Sequence, residues 1–157
     1  MEGTDTMVKK IVLWALVIGC MVLIFHFSSQ PADDSMDLSD GLLDKILAFL
    51  NISPPEQVVI FMRVFIRKVA HFAVYSLLGF LIYLLFKVGY EAKAKAALCG
   101  AVLISSLYAV TDEVHQLFVD GRSGSVKDVL LDSTGALCGI IIAWGICCIL
   151  SRRKKNG

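Results

Sequence analysis

The chain has 157 residues, 57% of them hydrophobic, with a formal net charge of +1 and a mean hydropathy of +0.73. A soluble domain of this length is rarely more than half apolar, and a near-neutral chain lacks the basic field that nucleic acid attracts, so both of those classes are set aside. The apolar residues fall instead into blocks long enough to cross a bilayer as helix, about 20 residues each. They predict one all-α membrane domain over 1–157, with four transmembrane helices, both termini cytoplasmic, and a short amphipathic helix in the first extracytoplasmic loop.

The first predicted crossing is 8–27. Lys9 and Lys10 precede it, and its apolar stretch from Ile11 is longer than a signal-peptide core. No A-x-A site follows, which predicts an uncleaved anchor. The extracytoplasmic segment 28–60 is acidic from Asp33 to Glu56. Within it Leu38, Leu42, Leu43, Ile46, Leu47 and Leu50 recur at helical spacing while Asp37, Asp40 and Asp44 take other positions. That pattern predicts a helix lying on the outer membrane surface, either as a lid or as a peripheral shield. Pro54 and Pro55 end it, and Gln57–Lys68 leads as helix into the second crossing, 69–88.

The third and fourth crossings are 95–117 and 127–150. Nine of the fifteen basic residues (Lys9, Lys10, Lys87, Lys93, Lys95, Arg152, Arg153, Lys154 and Lys155) fall on the side of the termini, which predicts that side to be cytoplasmic. Cys20, Cys99, Cys138, Cys147 and Cys148 all sit in apolar blocks without a CxxC pair, and read as small hydrophobes with no redox or metal role. Gly135 and Gly139 have the spacing that lets membrane helices approach closely, within the bundle or in a dimer.

Against this background the stretch "TDEVHQLFVDGRSGSVKDVLLDSTG", Thr111 to Gly135, concentrates five carboxylates, a histidine, an arginine and a lysine in 25 residues. At 1.5 Å of rise per residue, depth from the cytoplasmic boundary follows from counting. Ser28 stands 18 residues beyond Lys10, about 27 Å up. His71 and Asp112 each stand 16 residues from Lys87 and Ala96, about 24 Å up, and Asp132 stands 20 from Arg152, about 30 Å before any tilt. Polar groups from all four helices thus reach one layer near the outer headgroups, where ionisable side chains face the bundle interior or water.

On the second helix Lys68, His71 and Tyr75 share a face, with Arg63 and Arg67 continuing it upward. On the third, Asp112 shares a face with His115 and Gln116, beside Glu113; a carboxylate next to an imidazole suits proton transfer or metal ligation. DExHQ is not a zinc spacing, so no metal and no cofactor is expected. Arg122 and Ser123 occupy a glycine-bounded turn before the fourth helix, whose N-terminus favours phosphate. Ser125 and Asp128 form an S-x-x-D capping box for that helix. Asp132, set in an apolar run, is expected either to be kept neutral by desolvation or to have a cationic partner such as Arg122, Lys68 or His71. The candidate catalytic residues are His71, Asp112, Asp132, Glu113 and His115. The candidate substrate-binding residues are Lys68, Tyr75, Gln116, Arg122, Ser123, Ser125, Asp128, Ser28 and Gln30. Interfacial anchors, a solvated helix end and buried helix-to-helix pairs are the structural alternatives for the same side chains.

Three segments carry a family resemblance over most of the chain: Ser28-Ser29-Gln30, "RKVAHFAVYSLLG" from Arg67 to Gly79, and "TDEVHQLFVDGRSGSVKDVLLDSTGALCG" from Thr111 to Gly139. Together they resemble the VanZ-like family of bacterial membrane proteins. Many relatives look to have an acidic residue before the tyrosine matched by Tyr75, where this chain has Val74. The resemblance implies a multi-pass protein of the bacterial cell membrane, in a family whose namesake is associated with resistance to the lipoglycopeptide teicoplanin. With the polar layer, it leads to an expected site for an anionic envelope lipid or lipid-linked cell-wall precursor, or for a lipoglycopeptide. Acid–base catalysis, plain recognition and proton-coupled transport are the three modes considered. Transport fits least, because transport sites lie near the midplane.

Overall fold

A computed structural model describes residues 2–156, with the side chains of residues 4–31 and 40–153. The side chains of Glu2, Asp33, Asp37, Leu38, Lys154 and Lys155, used above for topology and amphipathicity, lie outside the described residues. Among the described residues the chain is all helix: α1 (Glu2–Ser28), α2 (Ala32–Leu50), α3 (Glu56–Leu84), α4 (Ala94–Gln116) and α5 (Val126–Asn156), with α3 widening into a π-helical turn at Leu85–Gly89. Four of these contain a stretch long and apolar enough to cross a membrane: Thr4–Ser28, Glu56–Gly89, Ala94–Gln116 and Val126–Arg153.

On α4 small residues face inward and large apolar ones outward, which lets helices approach closely where there is no hydrophobic drive between them. On α4, Ala97, Ala101, Ser105 and Ala109 are fully buried at intervals of four, while Leu103, Leu107 and Val110 are exposed. On α1, Val17, Cys20, Ile24 and Ser28 form the buried stripe. Polar ties then fix pairs of helices. Tyr108 Oη donates to the Met21 carbonyl at 2.7 Å. At the opposite end of the bundle Trp14 Nε1 donates to Tyr90 Oη at 3.0 Å, under the Lys10 ammonium 5.0 Å from the Tyr90 ring.

The closest contact joins α3 and α5. A Cβ added at Gly139 would lie 1.7 Å from the Ser76 carbonyl oxygen, one at Gly135 2.5 Å from that of Phe72, and one at Gly79 2.3 Å from that of Ala136. Gly135 and Gly139 are therefore used inside the chain. Residue numbers increase together along this contact, so α3 and α5 run parallel.

The second crossing is the longest element. The Glu56–Gly89 stretch has 34 residues, about 51 Å of helix against a hydrocarbon core of about 30 Å. The lead-in and the crossing are one continuous helix, and Arg63, Arg67 and Lys68 mark the end that stands clear. There α2 rests on α3: Leu43 is fully buried, and Asp40 meets Arg63 at 2.6 Å. This pairing turns Arg63 toward α2. Asn51, with φ of 53°, closes α2 in the left-handed conformation that asparagine tolerates.

The α3–α5 contact yields a stability prediction. Gly139→Ala should lower stability by about 1–3 kcal/mol, the cost of overpacking. Gly145→Ala on the same helix, where nothing lies within 4 Å of an added Cβ, should be neutral. Thermal unfolding of the two variants in detergent checks the difference.

Candidate functional site

The parallel α3–α5 contact carries the polar residues of both helices into one register. Lys68 on α3 pairs with Asp128 on α5, and one turn further along His71 faces Asp132, with Nδ1 3.6 Å from Oδ2. That separation is too long for a hydrogen bond. Asp132 is fully buried, and neither of its oxygens has a hydrogen-bond partner.

Across from this pair, α4 supplies Asp112, 4% exposed. Its Oδ2 accepts from Ser28 Oγ at 2.9 Å and from Gln116 Nε2 at 3.4 Å, and Gln116 Nε2 also donates to Ser28 Oγ at 3.3 Å. Its Oδ1 is buried without a partner. One donor atom from each of His71, Asp112 and Asp132 lies within 4.8 Å of the others. Tyr75 is buried directly against Asp112 and Asp132, its hydroxyl making no well-formed hydrogen bond.

Above this floor opens a cleft of about 220 Å³, lined by Arg67, Lys68, Gln116, Arg122, Ser123 and Asp128 among others. Arg122 is anchored to the end of α1: Nε donates to the Gln30 carbonyl at 2.8 Å and Nη2 to that of Phe27 at 2.9 Å, while Nη1 is buried and unpartnered. Burial, and then the neighbouring Arg67 charge, push the Arg122 guanidinium below its ordinary value, against the pull of Asp112 and Glu113. Arg67, one helical turn above His71, has no hydrogen-bond or ion-pair partner among the described residues. Its spacing to His71 places it on the same helix face in the sequence, but it is absent from the candidate binding residues named there. A second cavity of about 160 Å³, almost wholly apolar, lies between α1 and α3 against Leu23, Ile24, Phe27 and Val74, and shares His71 and Ser28 with the polar layer.

The loop between α4 and α5 differs from its sequence expectation. Ser125 N–H is taken not by Asp128 but by Glu113 Oε2, at 2.8 Å, and Ser125 Oγ accepts from Lys127 N–H at 3.2 Å. A carboxylate from α4 thus sits where a bound phosphate was expected at the start of α5. Asp128 is released to Lys68. Gly124 is required by packing, since an added Cβ would lie 2.5 Å from the Glu113 carbonyl oxygen. Gly121 is required by its φ of 71°.

Two other candidates are placed away from the cleft. His115 stacks on Phe25 at 4.6 Å. Because the Ser29 hydroxyl donates to the Phe25 carbonyl at 2.6 Å, its oxygen accepts from His115 Nε2 at 3.1 Å. Gln30 contributes its backbone carbonyl to Arg122, and its side-chain Oε1 is buried without a partner.

These features define a multi-pass helical membrane protein with a buried polar floor beneath a cationic cleft at one end of the bundle. The chain belongs to the VanZ/LLP1 family, whose family model matches residues 13–150. No curated protein and no solved structure matches it.

The cap of α5 can be tested directly. Glu113→Ala strips the partner from Ser125 N–H and should cost about 1–2 kcal/mol, as loss of a helix cap does. Asp128→Ala removes an ion pair whose side chains are 48% and 32% exposed and should cost less than about 1 kcal/mol. Thermal denaturation of both variants gives the order; the reverse order would restore Asp128 as the cap.

Proposed function

We propose that the cleft receives the phosphate-bearing head group of an anionic envelope lipid or lipid-linked cell-wall precursor, and that the His71, Asp112 and Asp132 floor acts on it. In this reading the termini are cytoplasmic, the cleft opens on the outer face of a bacterial cell membrane, and α2 lies on that surface with Phe49, 89% exposed, toward the lipid. The observation that carries the proposal is the pair of guanidiniums. Arg67 and Arg122 share one cleft and repel each other, neither has a carboxylate partner, and Arg122 keeps one buried N–H group unspent. Two such forks suit phosphate oxygens, which accept parallel N–H bonds. Lys68 adds less, its charge being met by Asp128. The apolar slot beside His71 is placed for the chain of an amphiphile whose head group lies in the cleft.

Asp112, fixed through one oxygen by Ser28 and Gln116, is the positioned carboxylate, and His71 with Asp132 completes the group that handles protons. Reduced susceptibility to teicoplanin-type lipoglycopeptides is then a consequence of altering or sequestering an envelope component. A purely binding function uses the same cations and no proton transfer.

Arg67→Ala and Arg122→Ala should each weaken binding of a phosphate-bearing lipid by about ten- to a hundredfold, the worth of a charge-assisted hydrogen bond. The measurement is titration of the detergent-purified chain with a short-chain anionic lipid, with a zwitterionic lipid as control. Unchanged affinity in both variants would sink the proposal. Asp132→Asn separates the modes: it abolishes turnover of the lipid in an acting protein and leaves affinity intact in a binding one.

A further inference from the structure

The floor of the cleft holds more unsatisfied acceptor capacity than proton handling requires. Oδ1 of Asp112, both oxygens of Asp132 and Nδ1 of His71 are buried with no hydrogen-bond partner, and the Tyr75 hydroxyl, equally unpartnered, is packed against them. Orphaned buried acceptors cost about 1–3 kcal/mol each, and more when charged. No cation hydrogen-bonds them: Lys68 is paired with Asp128, and Arg122 is bonded to two backbone carbonyls.

We infer that His71, Asp112 and Asp132 bind a single divalent cation of the Zn(II) or Mn(II) kind at the floor of the cleft. Their donor atoms lie within 4.8 Å of one another. Donors bonded to one cation at about 2.1 Å sit about 3–4 Å apart, so side-chain rotation of an ångström or less closes the set. One imidazole with two carboxylates lies between the nitrogen- and thiolate-rich sets that favour copper and the all-oxygen sets that favour magnesium or calcium. Three protein donors leave coordination positions open toward the cleft, the arrangement of a reactive metal site and not of a closed structural one. Ser28 and Gln116 behave as outer supports: they hold Oδ2 of Asp112 and leave Oδ1 without a partner. Helix rise places these three residues at one depth, but no spacing along the chain marks them as metal ligands, because they come from three helices and His115, the histidine nearest Asp112 in the chain, is turned toward α1.

This inference deepens the head-group proposal by naming what the floor contributes, yet it stands or falls without any lipid. The protein is purified in detergent, treated with EDTA, dialysed, and titrated with zinc chloride or manganese chloride alone. Saturable binding of one equivalent per chain and a raised melting temperature are expected with at least one of the two metals. Asp132→Asn and His71→Gln should remove that binding, Ser28→Ala should weaken it by about 10–100-fold, and Asp120→Asn, on the exposed turn, should leave it unchanged. No saturable binding by folded wild-type protein overturns the inference, as does equal affinity in Asp132→Asn and His71→Gln. Should either of those fail to fold, equal affinity in Ser28→Ala overturns it instead. Loss of lipid binding in the arginine variants with metal binding intact would separate the two proposals.

Discussion

The carbonyl oxygens of Phe72 and Ser76 occupy the space that side chains at 135 and 139 would need, so α3 and α5 meet backbone to backbone. Because the two helices run parallel, this contact fixes not only their distance but their register. With it, Lys68 falls opposite Asp128, and His71 opposite Asp132. A shift of one turn along α3, about 5.4 Å, would break both pairings at once, setting either Lys68 or Tyr75 in place of His71 opposite Asp132. In a bilayer, where apolar burial does little to hold helices together, close van der Waals approach between small residues is the available means of setting such a register.

From that register the remaining elements acquire their tasks. α4 contributes a ladder of small residues that brings Asp112 in beside the α3–α5 pair, and α1 ends where Ser28 can hold it. The polar layer is consequently asymmetric. On the α1–α4 side Oδ2 of Asp112 and Nε2 of His115 are hydrogen-bonded, whereas Oδ1 of Asp112 and, on the α3–α5 side, both oxygens of Asp132 and Nδ1 of His71 lack partners. The two guanidiniums of the cleft, Arg67 and Arg122, stand above these unpartnered groups.

Much of this was legible in the sequence, for reasons that can be stated residue by residue. Helix rise alone put Ser28, His71, Asp112 and Asp132 at a common depth, because rise is insensitive to how helices are arranged laterally. Side-chain direction was not legible to the same degree. His115 and Gln116 lie on opposite sides of the direction of Asp112, about 100° apart, so grouping all three on one face hid the fact that only Gln116 turns inward. The capping of α5 was missed because a local S-x-x-D pattern competes with any carboxylate that tertiary structure delivers, and Glu113 is delivered by the tight passage at Gly124. Arg63 and Arg67 were indistinguishable by spacing until α2 claimed the first through Asp40.

The tethering of Arg122 has a consequence for what position 122 can be. Two of its three nitrogens close off the carbonyls at the end of α1, and the third is buried without a partner. A lysine there would keep the positive charge but has one nitrogen at the end of a flexible stem, without a planar fork to divide between a helix terminus and a ligand. The shape of the guanidinium, more than its charge, is what makes one side chain both a fastening for α1 and a wall of the cleft.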